Sequence, residues 1–282
     1  MPHHPFQKIL VAVDGSFHAN LSARYSFAFA EALNSKLFVA TILTKEMDEK
    51  KEKAVAKSVE MILDDARDSG IDAEGVILRG NVITAIDRYV MDNKIDLVIA
   101  STRGSHRDQR LFARSVTSSL MSRLPCKVIG IKITHPGRSI KPKNVLMPVI
   151  GDGYGDKVRA DIAEAIVNKF GSKITLFHVV ELAGLRIKSL EEVEKDRLII
   201  SAEKRIISLV NELTMRGISL TCKIVIGRNA RDEIISEASH HKYDLIIAGA
   251  TTRNILKRMV SGNPVEEILR DTPCDVMLVH FR

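Results

Sequence analysis

Residues 96–116 read DLVIASTRGSHRDQRLFARSV, an apolar run followed by a loop with four arginines and one histidine. Residues 244–265 read DLIIAGATTRNILKRMVSGNPV, with the same opening and the same distance to a second apolar stretch. A short and continuously apolar run is typical of a strand that is buried on both faces of a parallel sheet. Because the unit of strand and loop occurs twice, the sequence indicates a duplicated domain.

Two further pairs of segments support the duplication. NSKLFVATIL at 34–43 matches GSKITLFHVV at 171–180, and LPCKVIGIK at 124–132 matches TPCDVMLVH at 272–280. All the pairs occur in the same order along the chain, so we predict two domains of about 140 residues each.

The chain divides at a segment rich in proline and basic residues. THPGRSIKPKN, residues 134–144, has the composition of a linker. We therefore assign residues 1–138 to one domain, called copy one, and residues 139–282 to the other, called copy two.

Copy one alternates between the two periodicities of secondary structure. Apolar strands such as KILVAV (8–13) and KLFVATIL (36–43) are followed by segments with apolar residues at helical spacing, such as residues 18–34. Five strands separated by four helices predict an α/β domain, a parallel sheet covered by helices on both faces. Copy two repeats this order.

Composition narrows the class of protein. The chain has 42 Lys and Arg against 35 Asp and Glu, and this mild excess is weak support for nucleic-acid binding. The three cysteines form no CxxC pair and no secretory leader is recognisable, so we expect a protein of the reducing cytoplasm. No apolar run approaches the roughly 20 residues of a membrane helix, so we expect no membrane partner.

The position of a ligand follows from the sheet. In an open parallel sheet, ligands bind beyond the carboxyl ends of the strands, where the strand order reverses. Two loops of copy one meet this description: DGS at 14–16, after the first strand, and the loop after the fourth strand.

These residues resemble the universal stress protein family. The resemblance rests on ILVAVDGS (9–16), DLVIA (96–100) and the spacing of a Gly-x2-Gly-x9-Gly-[Ser/Thr] loop, and it covers nearly the whole chain as a tandem pair. It implies two flavodoxin-like or Rossmann-like domains, each a five-stranded parallel sheet with strand order 3-2-1-4-5. It also implies a crevice between strands one and four, which binds ATP or AMP in many members and no nucleotide in others.

The fixed positions of the family loop can be located in each copy. In copy one they hold Ser101, Gly104, Arg114 and Ser115. In copy two they hold Gly249, Thr252, Gly262 and Asn263. Copy one thus lacks the first and third glycines, whereas copy two lacks the middle glycine and the final hydroxyl.

These changes bear on phosphate binding, because glycine lets backbone N–H groups approach an anion and the following helix presents its positive end. In copy two, Gly262, Asn263 and Pro264 can still open such a helix, since Asn is a good N-cap. In copy one we predict the helix from about residue 113 and count Val116 among the candidate binding residues, while Arg114 either crowds the phosphate or contacts it.

The sugar end of the ligand favours copy one. By the resemblance, Asp14, followed by Gly15, corresponds to a carboxylate that contacts the ribose and helps to hold Mg²⁺ with ATP. Copy two has Ile150 at this place. The family binds adenine largely through backbone groups near the end of the second strand, which here fall at Ile42 and Val179. Ala12 and Pro148 are further candidate binding residues.

Several of these features also have a purely structural interpretation. The turn at Asp14–Ser16 can be a helix cap, and the basic loop at 103–114 can be a solvated surface. We interpret His178 as a structural histidine within a strand. We interpret Cys126 and Cys274 as packed thiols rather than redox centres.

Motifs for catalysis are absent from the sequence, which has no GxxxxGK[ST] loop, HExxH, GxSxG or paired zinc-ligand spacing. We therefore expect a regulatory protein, not an enzyme, that binds ATP or AMP in at least one copy and influences an unknown protein partner. The alternatives are a protein-interaction module without nucleotide and a weak nucleotide hydrolase. The family further implies that the two copies pair through their last strands, 126–132 and 275–281. Whether two chains also form a homodimer is left open.

Overall fold

The computed structural model describes residues 6–102, 115–136, 140–150, 155–250 and 264–281. Some of the candidate ligand-binding residues lie outside these ranges, and the roles given to them above remain predictions. They are Gly104, Arg114, Thr252, Gly262 and Asn263.

Strands and helices alternate in both copies, as the periodicities predict. Copy one contains β1 (Lys8–Ala12), α1 (Phe17–Leu33), β2 (Lys36–Leu43), α2 (Glu49–Asp68), β3 (Ala73–Arg79), α3 (Val82–Asn93), β4 (Leu97–Ser101), α4 (Val116–Arg123) and β5 (Lys127–Lys132). Copy two contains β6 (Asn144–Pro148), α5 (Asp156–Phe170), β7 (Lys173–Glu181), α6 (Gly184–Lys188), α7 (Glu192–Met215), β8 (Leu220–Gly227), α8 (Ala230–His240), β9 (Leu245–Ala250), α9 (Pro264–Asp271) and β10 (Asp275–His280). The prediction that copy two repeats the order of copy one holds for the strands and misses the short helix α6.

The described strands form a single ten-stranded sheet in the order β3-β2-β1-β4-β5-β10-β9-β6-β7-β8. Numbered within each copy, both halves have the order 3-2-1-4-5, and neighbouring strands within a copy are parallel. The predicted fold is confirmed. The strand order reverses between β1 and β4 in copy one and between β6 and β9 in copy two, which places a crevice at the carboxyl ends of each pair.

The sheet is buried on both faces because its strands are apolar at nearly every position. Successive side chains of a strand face opposite sides of the sheet. Val11 and Val39 belong to the core layer under α1 and α2, whereas Leu10 and Val98 belong to the layer under α3 and α4. Each layer also contains residues of copy two, so the hydrophobic core is continuous through the chain.

The two copies are joined through their last strands, as the family resemblance implies. β5 and β10 run antiparallel, with Leu278 opposite Gly130. Position 130 holds glycine for a steric reason, because a Cβ there would lie 2.7 Å from Cγ2 of Thr117 on α4. Helix α1 packs against α5 over the junction, so the contact between the copies involves a helix layer as well as the sheet.

Polar contacts cross the same junction. The hydroxyl of Tyr25 on α1 donates to Oδ2 of Asp275 on β10 at 3.0 Å, and the backbone N–H of Thr134 donates to Oδ1 at 2.8 Å. The ammonium group of Lys132 donates to the carbonyl of Leu269 near the end of α9, where a cation is favoured by the helix dipole. All three contacts join a residue of copy one to a residue of copy two.

Within the described ranges, none of the helices combines the length and the apolar character that crossing a bilayer requires.

Candidate functional site

The crevice of copy one begins at the turn after β1. Gly15 has φ +75, in the left-handed region that favours glycine, and the backbone N–H of Ser16 donates to Oδ1 of Asp14 at 3.0 Å. The hydroxyl of Ser16 caps α1 by accepting from the N–H of Ala19. The turn and the cap are therefore both formed, and the Asp14 side chain is exposed at the mouth of the crevice.

The other side of this crevice is the N-terminus of α4. Ser115 is its N-cap, and the side-chain oxygen accepts from the N–H of Ser118 at 3.0 Å. The hydroxyl of Thr117 donates to the carbonyl of Ser101 at 2.9 Å, which ties the first turn of the helix to the end of β4. Val116 is half exposed beside the cap. The positive end of α4 is thus fixed against the carboxyl end of β4.

Hydroxyl groups without partners lie at the ends of β2 and β4. Ala12 pairs with Ala40 and with Ala100, so Thr41 and Ser101 each stand one residue beyond the last pair of β1. The hydroxyls of Thr41, Ser101 and the adjacent Thr102 are buried and have no hydrogen-bond partner in the part of the chain that is described. Leaving a buried hydroxyl unpaired costs about 1–3 kcal/mol, so water or a ligand is the expected partner.

Backbone groups of the second strand face the same crevice. The carbonyl of Ala40 accepts from the N–H of Val13, at the end of β1. Because alternate residues of a strand direct their N–H and C=O toward the same neighbour, those of Ile42 face the β1 side as well. In copy two the carbonyl of Phe177 accepts from the N–H of Val149, and the backbone groups of Val179 face that side by the same rule.

The crevice of copy two has different side chains at its edge. Ile150, at the place of Asp14, is 42% exposed. The carbonyl of Pro148, the last residue of β6, accepts from Nη1 of Arg159 at 3.2 Å. Nδ1 of His178 lies 2.8 Å from the carbonyl oxygen of Val149. Side chains of the protein therefore reach the strand-end carbonyls of β6.

Comparison with known proteins agrees with this architecture. The model of the universal stress protein family matches residues 5–132 and 142–280, which is nearly the whole chain in two segments.

The chain belongs to the universal stress protein family.

Its relatives include single-domain and two-domain proteins. A universal stress protein of Thermus aquaticus, named for its position in the 3′ region of a QAH/OAS sulfhydrylase, is 26% identical over 136 residues, which are 45% of this chain and 99% of the relative. A crystal structure of a universal stress protein from Archaeoglobus fulgidus matches 96% of this chain and 97% of its own, at 16% identity and a TM-score of 0.66. A protein of unknown function from Pseudomonas aeruginosa matches 97% and 92%, at 16% identity and a TM-score of 0.65. The two structures support the fold.

The candidate residues of this universal stress protein gather at the two crevices as far as the structure describes them. The copy one crevice brings together residues at the ends of β1, β2 and β4 and at the start of α4. They are Ala12, Asp14, Gly15, Ile42, Ser101, Ser115 and Val116. The copy two crevice has Pro148 and Gly249 at the ends of β6 and β9, and Val179 near the end of β7.

Sequence analysis did not identify some other residues that lie at the crevices. The hydroxyl residues Thr41 and Thr102 could have been found, because each is a polar side chain next to an apolar strand core. Arg159 also gives a signal, since it stands three and seven residues before Ile162 and Ile166, at the spacing of the buried face of α5. A charged residue on that face has to find a partner inside the protein.

The structural interpretation of Cys126, Cys274 and His178 is confirmed. Cys126 and Cys274 are buried, and burial raises their thiol pKa to about 11 and about 12, well above the range of reactive cysteines. His178 is buried in β7 and contacts the backbone. Among the described residues no group of three His, Cys, Asp or Glu side chains is placed to hold a metal ion.

Proposed function

We propose that this universal stress protein is a regulatory protein of the cytoplasmic stress response that binds an adenine nucleotide, ATP or AMP, in at least one crevice. The observation that carries the proposal is the crevice of copy one. An exposed carboxylate, buried hydroxyls that have no partner among the described residues and the capped N-terminus of a helix meet there at one edge of the sheet. This set offers acceptors for sugar hydroxyls and donors for phosphate oxygens.

The residues of copy one fit the parts of such a ligand. Backbone groups of Ile42 face the crevice where adenine would lie, and Asp14 would accept from the ribose hydroxyls. The N-terminus of α4 at Ser115 would receive the phosphates. Mg²⁺ accompanying ATP would take Asp14 and phosphate oxygens, because this ion commonly uses one or two carboxylates and keeps several waters.

The bound nucleotide would act as a signal that biases a surface for a protein partner. This part of the proposal rests on the family and on the sequence, which carries no motif of a nucleotide-cleaving site. Phosphate release from ATP above a buffer control would support the alternative of a weak hydrolase.

Asp14→Asn provides the first test. Asn keeps an oxygen that can accept from the N–H of Ser16, so the turn is preserved, but the negative charge that would face the ribose is lost. Calorimetric titration with ATP and AMP should show affinity lowered about tenfold or more. The matched control is Asp64→Asn, the same change at an exposed position of α2.

A second candidate function is an interaction module without nucleotide. It is favoured by the loss of two of the three loop glycines in copy one, at Ser101 and Arg114. Denaturing freshly purified protein and identifying what is released separates the two. If no nucleotide is released and neither ATP nor AMP gives heat in the titration, the module is the better assignment.

A further inference from the structure

The ladder between the central strands of copy two is shorter than the one in copy one. In copy one, β1 and β4 stay paired up to Ala12 and Ala100, the end of β1. In copy two the described pairs of β6 and β9 are Val145 with Leu245 and Leu146 with Ile246. Two residues later stands Pro148, which has no N–H to donate to a neighbouring strand. The backbone pairing between β6 and β9 therefore has a gap at this place, and the carbonyl of Pro148 accepts from a side chain instead.

Arg159 of α5 fills part of this gap. Nη1 donates to the carbonyl of Pro148 on β6, and Cδ lies 3.6 Å from where a Cβ on Gly249 of β9 would be. The side chain therefore spans the two strands that form the crevice. It also pairs with Asp156, one turn earlier on α5, and both residues are only 3% exposed.

Phe281 fills the rest. A Cβ on Gly249 would lie 3.4 Å from its ring, and a Cβ on Gly155, at the start of α5, would lie 2.2 Å from it. Gly155 has φ +83, so its backbone also favours glycine. Both glycines thus border the buried ring of Phe281. The space beside Gly249, which a ligand in the crevice would need, is occupied by Phe281 and Arg159.

Copy one has smaller residues at the positions that match Arg159 and Phe281. Ser22 stands twelve residues before the left-handed cap of α1, as Arg159 does before that of α5. Ser101 corresponds to Gly249 as the fifth residue of its strand, and Ile133 corresponds to Phe281 as the residue after the last strand. The hydroxyls of Ser22 and Ser101 are buried without a hydrogen-bond partner in the described chain.

We infer that the crevice of copy two is closed by its own Arg159 and Phe281, and that the chain has a single nucleotide site, in copy one. The inference rests on the proposed function. One N–H of Arg159 and one oxygen of Asp156 have no partner among the described residues, but both side chains are buried. A nucleotide would have to displace them, together with Phe281, and would leave the Asp156 carboxylate without its cation. Copy two then serves as the structural partner of the binding copy.

Titration of the full chain with ATP and AMP tests the number and place of sites. We expect one mole of nucleotide per mole of chain. Ser22→Arg, which gives copy one the residue of copy two, should weaken binding at least about tenfold, and Asp14→Asn should do the same. Ile150→Ala, at the exposed edge of copy two, should leave affinity and stoichiometry unchanged. Two sites in the wild type, or one site that survives both copy one variants, would overturn the inference.

Arginine labelling of the wild-type chain tests the closure without any nucleotide. Phenylglyoxal should modify the exposed Arg67 readily and spare Arg159, as read by peptide mass spectrometry. Arg159→Ser should lower the melting temperature by roughly 10 °C, because a buried carboxylate loses its partner. The control Ser22→Ala should change it little.

The two tests separate the two claims. If the wild type binds neither nucleotide, the proposed function fails, while a protected Arg159 still supports a closed copy two. If Arg159 is labelled as fast as Arg67, the crevice is open and the inference fails even when a nucleotide binds.

Discussion

Among single residues, Asp275 has the environment with the clearest consequence for stability. Burial raises its pKa, although Tyr25 and Thr134 donate hydrogen bonds to it. A carboxyl with a raised folded-state pKa stabilises the fold fully below its unfolded pKa of about 4, and this contribution is lost as pH rises through the folded pKa. We therefore expect Asp275→Asn to gain stability relative to the wild type as pH rises above about 4.

The measurement is urea unfolding of both proteins at a series of pH values. The difference between their free energies of unfolding should shift toward the Asn variant and level off above the folded pKa. Asp72→Asn, the same change at an exposed position just before β3, is the matched control. A difference that is flat with pH would mean that the Asp275 carboxyl is not perturbed by burial.

The chemistry of single residues was only partly predictable. Asp14 was found from the family resemblance and a turn signature, and Ser115 from its place in the family loop; in the structure the turn is formed and Ser115 caps α4. The role of Arg159 could not be derived in the same way. Its position on the buried face of α5 is visible in the sequence, but its contact with the carbonyl of Pro148 depends on how α5 packs over the end of β6. That packing is a tertiary feature.

Among the elements, α4 is the one on which the candidate site of copy one depends. Ser115→Ala removes the cap and should cost about 1 kcal/mol of stability. It should also weaken nucleotide binding, because the first turn of α4 is the proposed phosphate contact. Ser115→Asn is the matched control, since Asn caps well and is the residue at the corresponding place in copy two. Thermal unfolding and calorimetric titration of both variants are the measurements.

The two variants differ in whether residue 115 can still cap α4, so a loss of the cap can be told apart from other effects of the substitution. Stability should fall for Ser115→Ala and stay near the wild type for Ser115→Asn. If both variants bind nucleotide as the wild type does, the N-terminus of α4 is not part of the site, whatever the change in stability.

Elements were predictable where their pattern is long and regular. The strands were found because each is a short apolar run, and their order followed from the family resemblance. Helix α6 was missed because Gly184–Lys188 is shorter than two helical turns and shows no repeat of apolar positions. Its place is fixed by packing against β8, since a Cβ on Gly184 would lie 2.6 Å from Nε of Arg228, the residue after that strand.

At the scale of the whole molecule, a continuous sheet and core should make the two copies unfold as one unit. Tyr25→Phe tests this, because it removes a hydroxyl that joins α1 to β10 and leaves the half-buried Asp275 one donor short. We expect a loss of about 1–3 kcal/mol in the free energy of opening. Hydrogen exchange should show the same loss for the amides of β1 and β4 as for those of β6 and β9.

Tyr243→Phe is the matched control for this experiment. Its hydroxyl is 3.3 Å from Oε1 of Glu237, so the same deletion removes a contact within copy two alone, at a less buried place. We expect it to have a smaller effect. If Tyr25→Phe lowers protection only in β1 and β4, the copies open separately, and the seam between β5 and β10 holds together two independent domains. If protection falls equally in both copies, we expect that strain imposed on copy one by a bound nucleotide also changes the stability of copy two.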